Sequence, residues 1–72
     1  MESHERENII RLAESNYKLK KLFTNHEKYE QRVRALSNKT HLTMAEELEL
    51  RETKMMKLRG KEEMMSILSA AA

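Results

Sequence analysis

The sequence predicts an all-α fold in which two long antiparallel helices form a helical hairpin, or coiled coil. Three observations predict it: the alternating three- and four-residue spacing of apolar residues, the absence of proline beside a single glycine, and the 36 % of charged residues. We interpret residues 1–72 as one domain, because a chain of this length makes at most one. Since so small a domain is marginally stable and has no cysteine for a disulfide, we expect it to self-associate.

The first predicted helix covers about residues 3–36. Its apolar side chains lie on one heptad seam, in which Ser15 fills the only gap. Ser15 and Asn16 are also good N-cap residues, so a break after about residue 13 is the alternative, but we favour a continuous helix. The hairpin seam, which should hold the two helices together, comprises Leu12, Leu19, Leu22, Phe23, His26, Tyr29, Val33 and Leu36.

A polar connection is predicted over about residues 37–43, where short side chains compete with the helix for backbone hydrogen bonds. Thr43-Met44-Ala45-Glu46 then matches a capping box, in which each end residue accepts a hydrogen bond from the amide of the other. The second predicted helix therefore covers about residues 44–68, with fraying over Ala70–Ala72. A connection this short makes the two helices antiparallel neighbours.

The second helix carries two apolar stripes on nearly opposite sides. One comprises Met44, Leu48, Met55, Leu58 and Met65, and the other comprises Leu50, Thr53, Met56, Gly60, Met64, Ile67 and Leu68. Either flexible methionines lie on a loosely packed surface, or one stripe packs on the first helix and the other on a second molecule. We favour the second interpretation, because a two-helix hairpin is otherwise poorly stabilised. The candidate partner surface comprises Met55, Met56, Leu58, Met64 and Met65.

A family resemblance extends over most of the chain, from about Ile9 to Leu68. The residues Ile9-Ile10-Arg11-Leu12, Asn16, Leu19, Leu22-Phe23, His26 and Tyr29-Glu30, followed by Lys57-Leu58-Arg59-Gly60-Lys61-Glu62-Glu63-Met64, resemble the YdcH-like family of small bacterial proteins. Tyr17 stands where that family often has a proline after the asparagine, and Gly60 stands where it often has a leucine. The resemblance implies a helical hairpin with no established activity.

The sequence does not indicate an enzyme, because it contains no cysteine, no aspartate and no glycine-rich loop. Glu62 and Glu63 point about 100° apart on a helix, so they cannot face one substrate atom. His26 has Glu30 one turn later, whereas we place Glu27 on a different face, and no HExxH pattern exists. We therefore expect no catalytic residue, no cofactor and no metal, and we interpret His26 as an interfacial histidine of the seam.

The charge pattern provides an alternative function. The net charge of +2 is too small to indicate a nucleic-acid partner by itself, but Lys21, Lys28 and Arg32 share a helix face that could contact successive phosphates. No apolar run is long enough to span a membrane and the first 15 residues lack a signal-peptide core, so we expect a cytoplasmic protein without a membrane partner. The predicted function is non-catalytic protein–protein interaction, as a small adaptor or regulator, with nucleic-acid binding as the alternative.

Overall fold

The computed structural model describes residues 2–71, and over this range it contains three α-helices and no strand. Helix α1 covers Ser3–Ala13, α2 covers Tyr17–Ser37 and α3 covers Met44–Ala71. The predicted all-α class is confirmed, but the prediction of two helices is wrong. The bundle measures 43 × 18 × 17 Å, with α2 and α3 packed along each other and α1 folded back onto them.

The break between α1 and α2 is made by Asn16. Its backbone is extended, with φ −131° and ψ 101°, and its Oδ1 accepts a hydrogen bond from the Leu19 N–H at 3.1 Å. This N-cap satisfies an amide that has no partner inside the helix. The turn also brings Ile9 of α1 onto Leu19 of α2, a contact that a continuous helix would not allow. The N-cap hydrogen bond and the burial of Ile9 therefore stabilise the broken form more than the heptad packing of a continuous helix would.

The buried core lies where all three helices meet. Ile9 of α1, Leu19 of α2 and Met64 of α3 are each fully buried and form one cluster. The half-buried residues packed around this cluster are Leu12, Ala13, Leu22, Phe23, Met65, Ile67 and Leu68. Each helix thus supplies one central residue, which is why α1 belongs to the fold even though it is short.

Polar contacts reinforce the attachment of α1 to α2. The Arg6 guanidinium donates to Glu27 Oε1 at 2.8 Å and lies 5.3 Å from the centre of the Phe23 ring. Arg6 therefore combines an ion pair with a cation–π contact on two neighbouring turns of α2. Both contacts are partly exposed, so they orient α1 more than they stabilise it.

The opposite end of the bundle carries the connection over residues 38–43. Its capping box is confirmed: the Thr43 N–H donates to Glu46 Oε1 at 3.0 Å, and the Glu46 N–H donates to Thr43 Oγ1 at 3.1 Å. Lys39 also binds the Glu46 carboxylate, and the bonds from Lys39 and the Thr43 amide lower the pKa of Glu46 to about 2. Helix α3 then continues through Ala70 and Ala71, where the sequence predicts fraying, while Ala72 lies outside the described residues.

Candidate protein-docking surface

Helix α3 is apolar on two sides, and only one of them is covered. On the inner side Thr53 and Met64 are buried, and Leu50, Ile67 and Leu68 are half-buried. On the outer side Met44, Leu48, Met55 and Leu58 are each at least half exposed. Thus the stripe that contains Met64 faces α1 and α2, except at the exposed Met56, and the stripe that contains Met55 faces away from them, except at Met65, which packs against the edge of the core.

The exposed side follows a regular heptad spacing. We define the outer seam as Met44, Leu48, Arg51, Met55, Leu58, Glu62 and Met65, whose steps alternate between four and three residues. This is the spacing at which one helix packs along another in a coiled coil. Two of the seven positions are charged, and within the described residues 2–71 neither Arg51 nor Glu62 takes part in an ion pair.

Four of the five residues predicted as the partner surface keep some exposure. Met55, Met56 and Leu58 are exposed, and Met65 is half-buried at the edge of the core. Met64 is fully buried between α1 and α2 and cannot contribute to a surface. The physical reason is that adjacent helix residues point about 100° apart, so Met64 and Met65 belong to different faces.

Arg51 and Glu62 are not among the residues that the sequence predicts for the partner surface, because charged residues on a helix are usually solvated. The signal that identifies them is their position, since each fills a gap in the four- and three-residue steps between exposed apolar residues. Charged residues at such seam positions select a partner and fix its register more than they add stability. They are therefore part of the candidate surface.

The predicted hairpin seam lies along the inner face of α2, with Leu12 contributed from α1. Leu19, His26 and Leu36 are buried, and Leu12, Leu22, Phe23, Tyr29 and Val33 are half-buried. Opposite, a Cβ added to Gly60 would meet no heavy atom within 4 Å, so this glycine does not mark a close approach of α2. Buried and half-buried residues alternate along the seam.

His26 is a buried titratable group at the middle of this seam, with 5 % of its surface exposed. Donor atoms of His26, Glu27 and Glu30 lie within 4.8 Å of one another, so the Glu27 carboxylate reaches the His26 ring although the sequence places these two residues on different faces of the helix. A histidine with two carboxylates is a donor set that suits zinc. However, Arg6 binds Glu27 and Lys57 lies near the ring, so cations of the protein already compensate these carboxylates.

Acidification should destabilise the fold through His26. Burial is the main cause that lowers the pKa of His26; Lys57 acts in the same direction, and Glu30 and Glu27 oppose it. The unfolded chain therefore binds the proton more readily, and the free energy of unfolding falls as the pH drops through the usual histidine range, by at most about 1.4 kcal/mol per pH unit.

Urea unfolding at about pH 7.5 and about pH 5.5 measures this effect, and His26→Gln is the control variant. Glu46 titrates near 2 and the pKa of Glu49 is lowered by its bond to Arg32, so neither carboxyl contributes in this window. The wild type should lose stability between the two pH values and the variant should lose much less. An equal loss in both proteins would show that His26 is not the group responsible.

The predicted phosphate contacts lie on the exposed side of α2. Lys21, Lys28 and Arg32 are all exposed. Arg32, however, donates two hydrogen bonds to Glu49 of α3, at 2.5 and 2.8 Å. A phosphate would have to compete with this bidentate pair, which leaves Lys21 and Lys28 as the readily available cations of the set.

Comparison with protein-family models, with curated proteins and with solved structures gives no match to this chain. Among the described residues, none of the three helices combines the length and the apolar character required to cross a membrane.

Proposed function

We propose that this protein is a non-catalytic protein–protein interaction module that binds its partner through the outer seam of α3. The observation that carries the proposal is the contrast between the two sides of α3. The apolar residues of the inner side are buried or half-buried within the chain, apart from Met56, while four apolar residues on the outer side are each at least half exposed. A regular row of large exposed side chains is typical of a surface that binds a partner helix.

Side-chain chemistry supports this mode of binding. Methionine has a flexible, polarisable side chain that adapts to different apolar surfaces, and the outer seam carries three methionines, Met44, Met55 and Met65. Arg51 and Glu62 would add selectivity, because a partner must offer a group of opposite charge at each position. We place this function in the cytoplasm, as an adaptor or regulator.

We also propose membership of the YdcH-like family. The departure at Tyr17 removes the proline with which that family often starts its helix, yet α2 starts at Tyr17 and is capped by Asn16. In that family the proline favours a helix start at this position, and here the Asn16 cap provides the start instead. The shared helix start supports the resemblance.

Nucleic-acid binding remains the second candidate because of the exposed cations Lys21 and Lys28. The pairing of Arg32 with Glu49 weakens this candidate. Phe23 packs against the core and Tyr29 is half-buried, so the exposed aromatic side chain that α2 offers for base stacking is Tyr17, one turn before Lys21. We therefore rank it below protein docking.

Site-specific photo-crosslinking in a cell lysate tests the proposal. A photoreactive phenylalanine derivative at Met56, exposed beside the outer seam, should give discrete protein adducts that survive nuclease treatment. The matched control carries the same derivative at Lys28, exposed on α2, and should give few adducts. Adducts mainly from Lys28, or adducts that contain nucleic acid, would contradict protein docking and favour the second candidate.

A further inference from the structure

The residues of the outer seam determine which side chains a partner helix must place opposite them. A matching helix has to place apolar side chains opposite Leu48, Met55 and Leu58, an acidic group opposite Arg51 and a basic group opposite Glu62. All of these requirements are met by α3 itself when it runs in the opposite direction. We propose that the partner is a second copy of this chain, joined by antiparallel packing of the two α3 helices; this rests on the proposed docking function of the outer seam.

One register pairs every seam residue from Leu48 to Met65. With a two-fold axis between Met56 and Lys57, Leu48 faces the partner's Met65, Arg51 faces the partner's Glu62 and Met55 faces the partner's Leu58. The symmetry repeats each pair, so six layers form, four of them apolar and two of them oppositely charged. The contact extends over 18 residues of helix, which corresponds to about 27 Å.

Charge excludes the competing arrangements. In a parallel pair, Arg51 would face the partner's Arg51 and Glu62 would face the partner's Glu62, which places like charges together in two layers. In an antiparallel pair shifted by one heptad in one direction, Arg51 would face the partner's Met55 and Glu62 would face the partner's Met44. A shift in the other direction would place Arg51 opposite the partner's Ser69 and Glu62 opposite the partner's Leu58. Both charges would then be desolvated without a counterion. Only the register with the axis at Met56–Lys57 pairs both charges.

The charged residues that flank the seam are consistent with this register, but they stabilise it less than the charged layers within the seam do. On one flank, Glu52 lies beside the partner's Arg59, and the symmetry repeats this favourable pair. On the other flank, Lys54 lies beside the partner's Lys61, which is unfavourable but leaves both lysines at the solvent-exposed rim. The two flanks largely offset each other, so the charged layers at Arg51 and Glu62 decide the register.

Charge reversal tests the register, with sedimentation equilibrium over a concentration series as the measurement. The wild type should approach twice the chain mass of 8.6 kDa. Arg51→Glu and Glu62→Arg should each raise the dimer dissociation constant by about tenfold or more, because each puts like charges into two layers. An equimolar mixture of the two variants should form the dimer again, since opposite charges then face each other in both layers.

Two controls accompany the test. Lys28→Glu, a charge reversal on the exposed side of α2, should leave the dissociation constant unchanged, and circular dichroism should show equal helix content in all variants. Recovery of dimer in the mixture supports the proposal. A wild type that stays monomeric at all concentrations overturns the second copy as partner, whereas adducts of Met56 with a different protein would still support docking. A dimer that neither single variant weakens overturns this register.

Discussion

Replacing Leu19 by alanine is expected to lower the free energy of unfolding by about 2–5 kcal/mol. Leu19 is fully buried between Ile9 and Met64, so the substitution opens a cavity at the point where all three helices meet. A single core in a chain this short rarely supplies more than about 3–5 kcal/mol of net stability. The Leu19→Ala protein should therefore be partly unfolded at room temperature, which circular dichroism and urea titration measure.

Two matched leucines make this prediction specific. Leu22 lies one turn along α2 and is only half-buried, so Leu22→Ala should cost clearly less than Leu19→Ala. Leu58 is exposed on the outer seam, and Leu58→Ala should change the stability of the monomer by no more than about 0.5 kcal/mol. Equal losses at all three positions would contradict the assignment of Leu19 to the centre of the core.

The second large effect compares the two faces of α3. Met64→Lys should lower the free energy of unfolding by more than about 3 kcal/mol, because it forces an unpaired charge into the core or opens the core to water. Met55→Lys makes the same chemical change on the exposed face and should leave the fold intact. Thermal unfolding monitored by circular dichroism, at a concentration where the chain is monomeric, separates the two outcomes.

The opposite ranking would have a clear meaning. If Met55→Lys unfolded the chain while Met64→Lys did not, the inner and outer faces of α3 would have to be exchanged. The concentration matters because Met55 belongs to the proposed interface. In a dimer, Met55→Lys would also lower the apparent stability by weakening association, an effect that disappears on dilution.

Sequence reasoning predicted the parts of the fold that depend on neighbouring residues. The capping box of Thr43 and Glu46 lies within four residues, so its hydrogen bonds could be predicted from the residue types alone. The break at Asn16 is one of two alternatives that the residue types allow, and the heptad spacing favours the other one. The helix breaks if burying Ile9 against Met64 lowers the free energy more than continuing the helix through Asn16 would. Met64 lies 55 positions away from Ile9 in the chain. Such a long-range contact leaves no local pattern to identify it.

The candidate site was predictable in outline. Two apolar stripes on one helix indicate two packing surfaces, and this distinction could be made from spacing alone. Spacing could not decide which stripe faces α2, because both contain large apolar residues and the moderately polar Thr53 lies on the buried one. Arg51 and Glu62 can be assigned to a docking surface only once the structure shows that their face of α3 is exposed.

The two ends of the bundle combine apolar burial and ion pairs in different proportions. Where α1 covers α2 and α3, the contacts of Ile9 and Met64 are apolar. Near the connection over residues 38–43, the buried apolar residue is Leu36. Two ion pairs at the surface add to its packing, Arg32 with Glu49 and Lys39 with Glu46. Added salt screens exposed ion pairs but strengthens apolar burial when the salt is a sulfate or phosphate. Sulfate or phosphate should therefore shift stability from the connection end, where two ion pairs contribute, toward the α1 end, where the central contacts are apolar.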